Sequence, residues 1–129
     1  MKYEFALDLQ EKAEEISRLL FPHIIIERIK CFRSYGTSTK RTIARCHALG
    51  KIMQKAMGTK AHYALEFLSE QFDKLNEEEK LKTIIHELMH IPKTFGGGFK
   101  HHNHVTDDNI ELHYSTYINL KKAKEKNED

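Results

Sequence analysis

The chain has 129 residues, room for one modest domain and a single core, with 40% hydrophobic and 31% charged residues and a formal net charge of +2. That balance excludes a largely disordered chain, and no apolar run approaches the roughly 18 residues that a bilayer span needs. The opening Met1-Lys2-Tyr3-Glu4 lacks a basic stretch followed by an apolar block, so no secretory signal is read there and a cytoplasmic location is expected.

In chain order, a first helix is expected to open at Asp8, with Glu11 completing a capping box, and to run to about Leu20. Leu9, Ala13, Ile16 and Leu20 give its buried stripe. Phe21-Pro22 ends it, because the residue before a proline is pushed out of the helical region. Ile24 to Arg33 reads as a strand, Ser34 to Lys40 as a turn and Arg41 to Leu49 as a second strand, which together predict a basic hairpin. Gly50 to Gly58 fits either a short helix or a loop, and Ala61 to Leu68 reads as a third strand. The expected sheet is therefore small, three-stranded and mostly antiparallel.

Charge is uneven along this stretch. Residues 28 to 60 hold nine Lys or Arg and no Asp or Glu, whereas residues 61 to 90 hold seven acidic and three basic residues. A basic face of this kind suits nucleic acid or an acidic substrate; the plainer alternative is a solvated strand and loop surface. Cys31 and Cys46 have neither the spacing of a zinc knuckle nor that of a thioredoxin-like pair, and they read as buried free thiols, a disulfide between them being the alternative.

Asn76 followed by Glu79 is a second capping box, and Glu77, Glu78 and Glu79 suit the positive end of a helix dipole, so a helix starts at Glu77. Pro92 ends it near His90 or Ile91. It carries His86-Glu87-Leu88-Met89-His90: two imidazoles one turn apart with a carboxylate between them, the zinc-and-base pattern of a metallopeptidase. Leu81, Ile84, Ile85, Leu88 and Met89 form its apolar stripe, and His86 and His90 lie about 140° from the centre of that stripe at 100° per residue. Metal ligation therefore explains the pair better than core histidines do. Two histidines supply two ligands of a tetrahedral set, a third must come from elsewhere, and an open position admits the hydrolytic water. Glu87 is placed to take the proton of that water and pass it to the leaving amine.

Gly96-Gly97-Gly98 gives the backbone freedom to return over the helix. Beyond it stand four candidates for the third ligand, His101, His102, His104 and Glu111, the last of which also forms a capping box with Asp108. The metzincin pattern is excluded, since it requires a glycine three and a histidine six residues after the second histidine, where this chain has Lys93 and Gly96. A last helix begins after Thr106, with Asp107 and Asp108 in its first turn. His113, Tyr114 and Tyr117 on it are candidate donors to a tetrahedral intermediate, although core packing suits the tyrosines better. The charged tail 121–129 is expected to fray. His23, His47 and His62 read as solvated loop residues or as partners of the metal ligands.

Over Ile85 to Pro92 and Gly96 to His102, with a weaker match at Phe72-Asp73-Lys74-Leu75, the chain resembles the small zincin-like metallopeptidases of phages and archaea related to the SprT-like family. The resemblance covers nearly the whole chain. It implies one α+β domain over residues 1–129, a minimal zincin with an N-terminal helix, a small sheet, the active-site helix and a returning C-terminal helix. It also implies that a histidine after the glycine-rich turn completes the metal site. The apolar, basic, variable, histidine order maps onto Phe99, Lys100, His101 and His102, giving His86, His90 and His102 around Zn2+ with Glu87 as the catalytic base. The expected activity is zinc-dependent hydrolysis of peptide bonds in a protein or peptide substrate. Two other readings stand beside it: a nucleic-acid-associated zinc protein with a structural or weakly active metal site, acting on DNA-bound proteins through the basic 28–60 region, and a silent zincin fold that serves as a binding module.

Overall fold

Ala6 alone separates strand β1 (Lys2–Phe5) from helix α1 (Leu7–Leu20) in the computed structural model, which describes residues 1–102 and 104–128. The Ala6 N–H still donates to the Cys31 carbonyl at 2.9 Å, as a strand residue would, while its own carbonyl already accepts from Gln10 at 2.8 Å. The helix thus begins as soon as the strand ends. The capping box expected at Asp8 does not form: Asp8 lies inside the first turn, and its carboxylate instead accepts two bonds from Arg33, at 2.8 and 3.0 Å. Leu9, Ala13 and Ile16 are buried as the stripe requires, and Leu20 is half-buried.

After a turn at Pro22 and a short 3-10 turn over Ile26–Arg28, strand β2 covers Ile29–Tyr35. The first half of the isoleucine-rich run is therefore not strand. Strand β3 (Ala44–Ala48) is followed by helix α2 (Lys51–Met57), which resolves the ambiguous Gly50–Gly58 segment, then by strand β4 (Tyr63–Leu68) and the short helix α3 (Ser69–Phe72). Helix α4 (Glu77–Met89) opens on Asn76, whose side chain accepts from the Glu79 N–H at 2.9 Å, and helix α5 covers Asp107–Glu128. Most of the charged segment expected to fray is thus the end of α5, and Asp129 lies outside the described residues.

The α+β class holds, but the sheet differs from expectation. It has four strands in the order β1-β2-β4-β3. β1 pairs antiparallel with β2, β2 parallel with β4, and β4 antiparallel with β3. β2 and β3 therefore form no hairpin, because β4 lies between them. Burial explains the order. Leu65, Phe67 and Leu68 of β4 are wholly buried, whereas β3 places the charged or polar Arg45 and His47 in solvent, a pattern that suits an edge.

Cys31 and Cys46 both face Leu65 in the register, one from each side of β4. Two strand spacings, about 9.6 Å, are too far for a disulfide, and both thiols are free.

Ile29, Cys31, Tyr63, Leu65 and Phe67 point to one face of the sheet and form the core with α1 and α4, while α5 packs on both helices. Arg33 pins this layer at its rim, joining Asp8 of α1 to Asp73 after α3. The opposite face of the sheet is open: Tyr3 and Phe5 are 60% and 49% exposed there. Among the described residues, no helix is long and apolar enough to cross a membrane.

Candidate metal centre

Helix α4 is buried on two sides. Ile84, Ile85, Leu88 and Met89 meet the core, while His86, Glu87 and His90 turn toward a cleft of about 300 Å³ beneath the edge strand β3. Turning from the apolar stripe does not put His90 in water, because the chain returning through Gly96–Gly98 covers it. Phe99 stacks on the His90 ring, with centroids 4.4 Å apart and planes 12° apart.

The return is held by backbone and phenol. Lys100 N–H donates to the His90 carbonyl at 2.8 Å, and His90 Nδ1 bonds the Lys100 carbonyl in the other direction. A carbonyl can only accept, so Nδ1 carries the proton and Nε2 of His90 keeps its lone pair for a metal. Tyr63 O–H donates to the Gly98 carbonyl at 2.8 Å and accepts from Gly97 N–H at 3.0 Å, which ties the glycine turn to the start of β4. Gly97 has φ +98, and a Cβ there would stand 2.4 Å from Gln54 Nε2 and 2.6 Å from the Leu49 carbonyl oxygen. Only glycine fits that position.

This return delivers His102. One ligand atom from each of His86, His90 and His102 lies within 4.8 Å of the other two, the ring centroids being 5.0 to 5.5 Å apart. Tetrahedral nitrogen ligands at about 2.0–2.1 Å from zinc sit about 3.3 Å apart, so a short inward movement of the exposed His102 suffices. Neither His101 nor His104 belongs to the group among the described residues. Glu111 is not in the group either: it lines a neighbouring hollow with His86, its carboxylate 2.6 Å from Lys82 Nζ.

The electrostatics fit a cation. Burial, with His90 and His102 close by, holds the His86 imidazolium down to about pKa 4, and burial lowers His90 as well, so both present neutral nitrogen at ordinary pH. Glu87 is 5% exposed, and burial pushes its carboxyl up to about 7. Its Oε2 lies 3.8 Å from His86 Nε2. A carboxylate poised near neutrality beside three imidazole donors can accept a proton from a water and release it again.

The edge strand forms the cleft's other wall, through Ala44, Arg45, Cys46 and His47. A larger cavity of about 640 Å³ lies behind Met89 and Ile91, but it contains none of the three clustered histidines, so chemistry rather than size selects the cleft.

Other histidines and tyrosines have structural partners. His23 meets the Ile91 carbonyl, His47 the Glu66 carboxylate, and His62 the Thr59 hydroxyl. Tyr117 is wholly buried and donates to Glu15, and His113 packs on Phe21. The stacking of Phe99 and the anchoring by Tyr63 went unread in the sequence. Phe99 had a local signal, as an aromatic directly after three glycines, but Tyr63 meets the turn across 34 residues.

Residues 1–116 match the family model described as putative phage metallopeptidase. No curated protein and no solved structure matches the chain.

Proposed function

The chain belongs to the phage metallopeptidase family, and on that premise we propose that it is a zinc-dependent peptidase in which His86, His90 and His102 hold the metal and Glu87 is the general base. The observation that carries this reading is the buried carboxylate of Glu87 set beside three imidazoles that share one small cleft. A zinc ion bound there supplies Lewis acidity, which polarises a carbonyl and lowers the pKa of water.

The protein groups do the rest. His90, fixed by Lys100 and Phe99, and His86, on the rigid helix, set two donors in place, while His102 closes the set from the loop. Glu87 accepts the proton of the attacking water and returns it to the leaving nitrogen, a task for which a pKa near 7 is suited. Among the described residues β3 has one strand neighbour, β4, and its outer edge would pair with an extended peptide laid along the cleft. A protein segment in strand conformation is therefore the substrate of the proposed reaction.

Replacing Glu87 with Gln tests the reading. Turnover of labelled, unfolded casein should fall by about 100-fold or more while bound zinc remains stoichiometric. His86→Ala should lose the zinc with the fold retained by circular dichroism. Full turnover by Glu87→Gln would refute the mechanism.

A further inference from the structure

The face of the sheet turned away from α4 holds none of the three clustered histidines, yet it carries an unusual set of side chains. Tyr3 and Phe5 of β1 project from it beside Phe32 of β2, in the registers Tyr3 to Ser34 and Phe5 to Phe32, and the Phe5 and Phe32 rings meet edge to face at 6.2 Å. Two connected hollows of about 240 and 490 Å³ share Phe32, His47 and Ala64, forming a groove that runs from Tyr3 across the sheet to Met57 and His62.

Lys30 lines the groove with its Nζ 5.6 Å above the Phe5 ring, and Lys51, Lys55 and Lys60 are exposed in the segment that carries the lining residues Met57 and Thr59; none of the four has an ion-pair partner among the described residues. Only Glu66 among the lining residues is acidic, and it is 3% exposed. Its carboxylate accepts from Ser34 Oγ–H at 2.6 Å and from His47 Nε2–H at 2.8 Å, and Arg45 lies 3.6 Å away. The negative charge is thereby turned inward and neutralised, leaving aromatic planes and cations outward.

We propose that this open face binds a single-stranded nucleic acid, with bases stacked on Tyr3, Phe5 and Phe32 and phosphates drawn to Lys30 and the lysines of the α2 region. Exposed aromatic rings give every base a stacking surface, and unpaired lysines give the backbone its counterions. A duplex keeps its bases stacked on one another and cannot use the rings. A protein partner is disfavoured because lysine is depleted from protein interfaces, whereas here Lys30 stands over the exposed Phe5 ring. Ring stacking and phosphate pairing are common to deoxyribose and ribose strands, so the two bind alike. His47 lines both this groove and the metal cleft, so the two sites meet only at the β3 edge.

Fluorescence anisotropy with labelled oligo(dT) of about 15 nucleotides, near the upper end of single-strand site sizes, tests the proposal on the full chain stripped of metal with EDTA. Because no turnover is read, failure of the peptidase reading leaves the result unaffected. Saturable binding is expected, with log affinity falling linearly in log salt by about 0.7 per phosphate engaged. Tyr3→Ala and Phe5→Ala should each weaken it about fivefold or more, Lys30→Glu should weaken it and flatten the salt slope, and oligo(rU) should match oligo(dT). Tyr3 is exposed enough that its replacement keeps the fold, which circular dichroism checks. Absence of binding at about 50 mM salt, equal affinity for a duplex of the same length, or undiminished affinity in Tyr3→Ala would each overturn the proposal.

Discussion

Phe99 lies flat on the His90 ring, its plane 12° from that of the imidazole, on the side from which the glycine turn arrives. The stack and the Lys100 carbonyl together leave His90 one orientation, and partners that orient a ligand in this way typically account for a 10- to 100-fold share of metal affinity.

Phe99→Ala should therefore weaken zinc binding by about tenfold, measured by competition with a chelating dye, while Phe99→Tyr retains it. Equal affinity in the alanine variant would show that the stack orients nothing.

Glu87 gives the metal-free protein a distinctive pH response. Its carboxyl titrates near 7 in the fold against an ordinary 4.5, so between those values the folded chain holds a proton that the unfolded chain has released. Its contribution to stability is whole below about pH 4.5 and is lost as pH rises through about 7. Glu87→Gln removes that loss and should stabilise the EDTA-treated protein by up to about 3 kcal/mol at pH 8, with little gain at pH 4.5. His86 has the opposite slope: it stays neutral to about pH 4 in the fold against an ordinary 6.5, so stability is given up as pH falls between those values. Thermal melts of wild type and variant across this range check both signs.

Gly97→Ala should cost about 2 kcal/mol or more, from the positive φ and from overlap with Gln54 and Leu49. Gly96→Ala meets nothing closer than Thr94 Oγ1 at 3.7 Å and should cost about 1 kcal/mol or less. Urea unfolding of the two variants distinguishes a turn that needs glycine at one position from one that needs it throughout.

Neither thiol should react in the native protein. Burial pushes Cys31 and Cys46 up to about 12, Glu87 adding to the effect at Cys46, so almost no thiolate exists at pH 8. Titration with a chromogenic disulfide should find no fast thiol in the native chain and two after unfolding.

The motif helix was legible because its signals are local: Asn76 caps it, its apolar stripe has helical spacing, and Pro92 bounds it. Strand β1 was not, since Lys-Tyr-Glu-Phe is too short and too charged to declare itself, and it exists by pairing with β2 across the chain. The hairpin expectation failed for a related reason. Adjacency in sequence suggested that β2 and β3 pair, yet the doubly buried β4 outcompetes β3 for the centre of the sheet, and that preference is a property of the whole core. The third histidine was narrowed by family pattern, while the geometry that gathers it depends on Tyr63 and Gln54 reaching the glycine turn from distant segments.

Residues 86–102 contain Glu87 and all three clustered histidines, whereas the facing wall is β3, some forty residues earlier. Closing so short a loop carries a small entropy cost, which grows only with the logarithm of its length. The reactive groups and the strand that would select among substrates are thus written in separate stretches of the gene. On the proposed reading, substitutions along β3 would change which sequences are accepted without disturbing the donors, whereas the glycine turn must keep Gly97.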